Sequence, residues 1–139
     1  MILRINMFCA LLCIAGAAYS QSIDPVGDTL VWRAETLTDT AADSTRANES
    51  EFVTYGSSKI IWTQNGTDSN TVFEFTITNA NDHWSNDGYV IFTTTRKNKT
   101  QSFRFEQVGS EIRIRLTYPD AGGERTLVFV IDEVSPLQD

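Results

Sequence analysis

Apolar and polar residues alternate with a period of two in successive runs between Thr71 and Glu133. Phe73, Phe75 and Ile77 share one face, as do Phe103 and Phe105, then Ile112, Ile114, Leu116 and Tyr118, then Leu127, Phe129 and Ile131. Successive side chains of a strand point to opposite sides, so this spacing predicts half-buried β-strands. Lys97-Asn98-Lys99, Val108-Gly109-Ser110 and Pro119 to Gly123 supply short turns between runs, and every link reads as a hairpin.

Upstream, Leu30, Trp32 and Ala34 alternate with Val31, Arg33 and Glu35 in a first strand, with Trp32 anchoring one end of the core. Phe52, Val53 and Tyr55 open a short strand that Gly56-Ser57-Ser58 breaks, and Lys59 to Gln64 resumes it with Ile60, Ile61 and Trp62. Asn65-Gly66 is a strong turn signal because both residues tolerate positive φ, so the strand ending near Gln64 is expected to pair with the one starting near Thr71. Asp87-Gly88 precedes a further strand from Tyr89 to Arg96. Two segments lack periodicity. Thr38 to Ser50, with no large apolar side chain, is expected to be a long loop or a short polar helix, and Asn79 to Asp87 a second loop carrying His83 and Trp84. No segment carries a helical apolar stripe.

Seven or eight sequentially adjacent strands must protect their edges, and closing the sheet on itself does this completely. The expected fold is therefore all-β, a single antiparallel meander barrel of 7 to 8 strands. A two-sheet β-sandwich is the alternative, although sandwiches usually need long crossovers and none is visible after Thr71.

Residues 1–20 have the form of a cleavable export signal. Arg4 gives the positive start, Met7 to Ala18 the short apolar run, and Ala18-Tyr19-Ser20 the small residues before a cut at Gln21. The run is shorter than the roughly 20 residues a membrane span requires, and the residues before Cys9 and Cys13 do not suit lipid attachment. The expectation is a single domain, 21–139, that is secreted (periplasmic in a Gram-negative source), monomeric and without a membrane anchor. Both cysteines fall in the leader, so the mature domain has no disulfide and no thiolate ligand.

The formal charge of the chain is −7, and loss of Arg4 makes it one unit more negative. Such a molecule repels polyanions on average, which argues against nucleic-acid partners. Arg96, Lys97 and Lys99 form the one dense basic stretch, and their place at a hairpin tip reads as solvated turn charge.

The tryptophan Trp32 in an early strand, the polar segment from Thr38 to Ser50 and the run of hairpins from Lys59 to Glu133 together resemble the lipocalin-like or calycin barrels. The resemblance is one of layout. Leu30 stands where lipocalins proper have a glycine two residues before the tryptophan, and their disulfide is absent. What it implies is a small cup holding an apolar ligand.

Catalytic chemistry finds little support. His83 is the single histidine, no nucleophile-elbow pattern surrounds any serine, and one imidazole does not make a zinc site. Asp82, Asn86 and Asp87 lack the spacing of a calcium loop. No enzyme activity, metal or cofactor is expected. Asn48, Asn65 and Asn98 stand in the form of N-glycosylation acceptors, each in an expected loop or turn.

Two surfaces remain. The apolar face carrying Trp62, Phe73, Phe75, Phe103, Phe105, Tyr118 and Phe129 points inward and is the candidate ligand-binding set for a small apolar or amphipathic molecule. Alternation reports which face is buried and not what fills it, and the plainer reading of the same face is a solid core. Arg104, Arg113 and Arg115 fall on the opposite face, with cross-strand partners such as Glu106. The rival class is a carbohydrate- or protein-binding module built on Trp84 with Tyr89, with Trp62 as an optional third ring, although exposed aromatic loop residues more commonly fold back as a plug over the core.

Overall fold

The computed structural model describes residues 23–138. The expected leader, its cleavage point at Gln21 and both cysteines lie outside them.

Eight strands follow one another in chain order: β1 (Thr29–Asp39), β2 (Ser44–Tyr55), β3 (Lys59–Asn65), β4 (Asn70–His83), β5 (Tyr89–Arg96), β6 (Lys99–Val108), β7 (Glu111–Asp120) and β8 (Gly123–Pro136). A single helical turn, α1 (Trp84–Asp87), joins β4 to β5. Each strand pairs antiparallel with the next, and β1 also pairs with β8, so the meander closes into a barrel with no free edge.

Two expected loops are strands. Thr38 to Ser50 is the tip of the β1–β2 hairpin, with Thr38 opposite Thr45 and Asp39 opposite Ser44, leaving only residues 40–43 in the turn. Asn79 to His83 extends β4 and pairs with β5. In both stretches the partner strand supplies the hydrogen bonds, and small polar side chains near a barrel rim need no apolar alternation to stay paired. Asn48 accordingly lies within β2, half-buried, where its side-chain oxygen accepts a hydrogen bond from Ser50, whereas Asn65 and Asn98 are exposed.

Register shifts re-aim the side chains of three strands. In β1 the shift falls between Ala34 and Thr36, and the inward set changes from Leu30, Trp32 and Ala34 to Leu37 and Asp39. In β4 it falls after Ile77, moving the inward position to Ala80, opposite Phe92. In β8 it falls after Ile131 and brings Val134 inside. Such bulges add the local twist that a small barrel needs to close.

The interior is filled over only part of its length. Trp32, Phe52, Phe92, Phe103, Phe105, Phe129, Ile60, Ile114 and Val90 are fully buried. Edge-on ring contacts join Trp32 to Phe105 (4.8 Å), Phe92 to Phe105 (5.5 Å) and Phe52 to Phe129 (4.8 Å). The Trp32 indole N–H donates to Thr54 Oγ1 at 3.0 Å, satisfying two buried polar groups at once.

One end of this packed half is plugged. Ile23 and Val26, in the segment before β1, join the core, and Trp84 of α1 packs edge-on against Trp32 with centroids 6.2 Å apart. Gly88 ends α1 at φ 75, where its N–H donates to Trp84 O and its own carbonyl accepts from Gln107 N at 2.7 Å. A Cβ there would lie 3.2 Å from Gln107 O, so glycine serves both the left-handed turn and the close approach.

The outer face is charged. Arg33 reaches Glu51 and Glu133 (3.3 Å each), Lys59 reaches Glu74 (3.8 Å), and Arg104 and Arg115 converge on Glu106 (3.0 and 2.6 Å). Apolar inside and charged outside is the reverse of a lipid-spanning barrel, and among the described residues no helix is long and apolar enough to cross a membrane.

Burial pushes the Glu106 carboxyl up, but the hydrogen bonds from Arg115 and Arg104 outweigh it and hold the group below its ordinary value near 4.5. A carboxyl lowered in the folded state stabilises above its unfolded pKa, and that contribution is lost as pH falls through the lower folded value. Glu106→Gln is therefore expected to flatten the loss of stability between about pH 5 and about pH 2. Urea midpoints measured across that window check this, and an unchanged slope would mean the two arginines are only solvated neighbours.

Candidate functional site

The other half of the barrel is hollow. A cavity of about 540 Å³ opens at the end formed by the β1–β2, β3–β4, β5–β6 and β7–β8 turns, opposite the Trp84 plug. Its apolar wall comes from inward positions of successive strands: Leu37 of β1, Trp62 of β3, Phe73 and Phe75 of β4, Leu116 of β7 and Leu127 of β8. Phe73 packs on Trp62 at 5.0 Å, and Trp62 stacks on Phe52 at 5.6 Å, so the cavity wall is braced by the packed aromatic core beneath it.

Of the residues singled out from the sequence, Trp62, Phe73, Phe75 and Tyr118 line this cavity. Phe103, Phe105 and Phe129 do not. They lie deeper in the barrel, on β6 and β8, fully buried against other rings. Alternation assigns a side chain to the inside, but its height along the barrel axis decides whether it meets another side chain or open space.

The sequence marks Arg96, Lys97 and Lys99 only as solvated turn charge and does not single out the other polar groups on the same inward positions. Asp39, Arg46, Gln64, Arg96, Lys99, Gln101 and Arg125 line the mouth, with Lys97 from the β5–β6 turn and Pro119 from the end of β7. Strand parity carries part of this signal. Val90, Phe92 and Thr94 lead to Arg96, Phe105 and Phe103 lead back to Gln101 and Lys99, and Leu127 leads back to Arg125. The tip charges therefore crown a cavity. Lys97 and Asn98 both have positive φ (52 and 62), the conformation of a tight primed hairpin that keeps Arg96 and Lys99 paired across the barrel rim. Phe52 leads back by the same parity to Ser50 and Arg46, but Thr38 to Ser50 reads as a loop from its composition, and the shift in β1 breaks the parity that would place Asp39.

Several of these groups are fixed by partners. Trp62 Nε1 donates to Ser50 Oγ at 3.1 Å, and that hydroxyl donates to Asn48. Thr94 Oγ1 donates to Gln101 Oε1 at 3.1 Å, while Gln101 Nε2 donates to Lys99 O at 3.0 Å. Arg125 Nε donates to Asp39 Oδ2 at 3.0 Å, with a second hydrogen bond from Nη2. This guanidinium holds the Asp39 carboxyl below its usual value. Burial pushes the Tyr118 phenol up, so it keeps its proton at neutral pH and remains a donor. Arg96 lies over the Phe73 ring at 4.9 Å.

Trp84 and Tyr89 share the β4–β5 end of the barrel, but Trp62 does not join them. Trp84 and Trp62 lie at opposite ends of the barrel, Trp84 as the plug and Trp62 in the cavity wall. His83 stacks on Tyr89 at 4.9 Å and approaches Asp87 at 3.6 Å, again away from the cavity. Asp82 is engaged as acceptor for the Trp84 backbone N–H. Among the described residues no three His, Cys, Asp or Glu side chains gather into a metal-binding group.

Fold and site together define an eight-stranded antiparallel meander barrel with one plugged end and one open, apolar-walled cavity under a polar rim. Among known proteins, no family model matches the chain, and no curated protein matches it at a significant level.

Proposed function

We propose that this protein is a secreted, lipocalin-like binding protein that holds a small apolar or amphipathic ligand inside its barrel. The observation that carries this reading is the half-empty interior. A core optimised only for stability would fill the space beside Trp62, Phe73 and Leu127, because unfilled apolar volume costs packing energy. Here about 540 Å³ is left open to one end, within the range typical of small-molecule sites. Eight strands give an interior just wide enough for side chains or for one small ligand. The calycin-like layout of the meander agrees with that use.

Native mass spectrometry of the purified protein is expected to reveal a retained or added apolar compound at one per chain. Trp62 offers an internal reporter, since it lies in the cavity wall while Trp32 is sealed in the core. Titrating a fluorescent fatty-acid analogue is expected to change tryptophan emission, and Trp62→Phe to abolish most of that change. If every apolar probe binds more weakly than about 1 mM, the reading fails.

A further inference from the structure

The charges at the cavity mouth are distributed unlike those elsewhere on the molecule. The chain is acidic overall, at −7, yet the lining contains Arg46, Arg96, Lys97, Lys99 and Arg125 against a single carboxylate, Asp39. That carboxylate is committed to Arg125. On the outer wall, Arg33, Lys59, Arg104, Arg113 and Arg115 each have a glutamate within 4 Å. Arg46, Arg96, Lys97 and Lys99 are the cations without a carboxylate partner among the described residues, and all four stand at this one opening.

Four like charges gathered around an opening repel one another and destabilise the rim. Field lines focused by an apolar cavity attract an anion strongly. The rest of the lining separates by height. The rings of Trp62, Phe73 and Phe75 with Leu116 and Leu127 form the wall, while Tyr118 and Gln64 add neutral polar groups near the charges. Arg96 spans the two zones, its guanidinium over the Phe73 ring.

Resting on the carrier reading, we infer that the ligand is a single-tailed anionic amphiphile, its tail against the Trp62, Phe73 and Leu127 wall and its carboxylate or phosphate-type head among Arg46, Arg96 and Lys99. The volume suits one tail. At about 540 Å³ the cavity falls within the range typical of small-molecule sites. Arg125 is shared between Asp39 and Asp120 and so has no spare charge, which leaves the head to Arg96 and Lys99 across the barrel and to Arg46 beside that segment.

The test uses three probes with one tail and different heads: decanoate, decanol and decylammonium, titrated into purified protein at neutral pH and low salt by displacement of a neutral fluorescent probe. Decanoate is expected to bind at least tenfold more tightly than decylammonium, with decanol between them. Raising salt to about 0.5 M should contract that ratio. Arg96→Gln/Lys99→Gln is expected to bring the ratio towards one, and so is Arg46→Gln/Lys97→Gln, whose side chains are exposed. Arg33→Gln on the outer wall should leave it unchanged. Equal binding of the three probes would overturn the anionic assignment and leave the carrier reading standing, whereas failure of all three to bind would overturn the carrier reading itself. A preference that survives both double variants, or acetate competing as well as decanoate, would overturn the placement of head and tail.

Discussion

Replacing Trp32 with alanine is expected to destabilise the barrel by about 3–5 kcal/mol, the usual cost of truncating a large aromatic side chain in a packed core. Three contributions converge on this residue. Its indole is fully buried against Phe105 at 4.8 Å, it supports the Trp84 plug at 6.2 Å, and its N–H is the donor to the buried Thr54 hydroxyl. Alanine would open a void between β1 and β6 and leave Thr54 without that partner, whose loss alone costs about 1–3 kcal/mol where no water can replace it. Against a total stability of about 5–15 kcal/mol, this removes a large share, and the melting temperature is expected to fall by roughly 10–25 °C. Circular dichroism melts check it. A fall of less than about 5 °C would mean that the plugged half is loosely packed, and Trp84→Ala, which removes a half-buried ring at the same contact, is expected to cost less than Trp32→Ala.

The second large effect separates the solid half of the barrel from the hollow half without knowledge of any ligand. Ile114 and Leu127 sit on the paired strands β7 and β8, both inward, with Ile114 opposite Phe129 and Leu127 opposite Leu116. Ile114 is fully buried among rings, whereas Leu127 faces the cavity. Enlarging a side chain in a filled core forces rotamers and backbone aside at about 1–3 kcal/mol, so Ile114→Trp is expected to lower the melting temperature by roughly 5–15 °C. Leu127→Trp has room to extend and is expected to change it by only a few degrees. The same indole occupies the volume a tail would use, so affinity for the apolar probes should drop about 30-fold, close to 2 kcal/mol. Equal destabilisation at the two positions would mean the cavity is closed in solution, and a tolerated Leu127→Trp that still binds probes with full affinity would place the ligand elsewhere.

The cations at the mouth give the protein a surface that its net charge conceals. An acidic molecule is expected to be a poor partner for anions, yet the cavity lining itself carries Arg46, Arg96, Lys97 and Lys99, while the exposed Asp43, Asp68 and Glu124 of the same hairpin ends lie outside it. Charge averaged over the chain governs solubility and long-range encounter, while the field inside a low-dielectric opening is set by the few groups around it. Asp39 adds a check on this arrangement. Its pKa is lowered by the hydrogen bond from Arg125, so it stays ionised through mild acid and keeps Arg125 engaged.

Period-two alternation by itself determined the class of fold, the order of the hairpins and the identity of the inward side chains from Phe73 to Ile131, because burial on one face of a pleated strand leaves a mark at every second residue. It also placed Arg104, Arg113 and Arg115 outside, where Glu106 and Glu111 now meet them. The hairpin tips of β1, β2 and β4 were hidden, since at the rim cross-strand hydrogen bonds replace apolar contact and polar residues such as Thr38, Thr45 and Asn81 leave no such mark. Only the tertiary structure decided how high each inward side chain sits, and therefore that Phe103, Phe105 and Phe129 are core while Trp62, Phe73 and Phe75 border open space. It alone brought Arg46, Arg96 and Lys99 around one mouth and sent Trp84 to the other end. Closure of eight tilted strands fixes those heights through shear and bulges, relations between distant strands that no local spacing encodes.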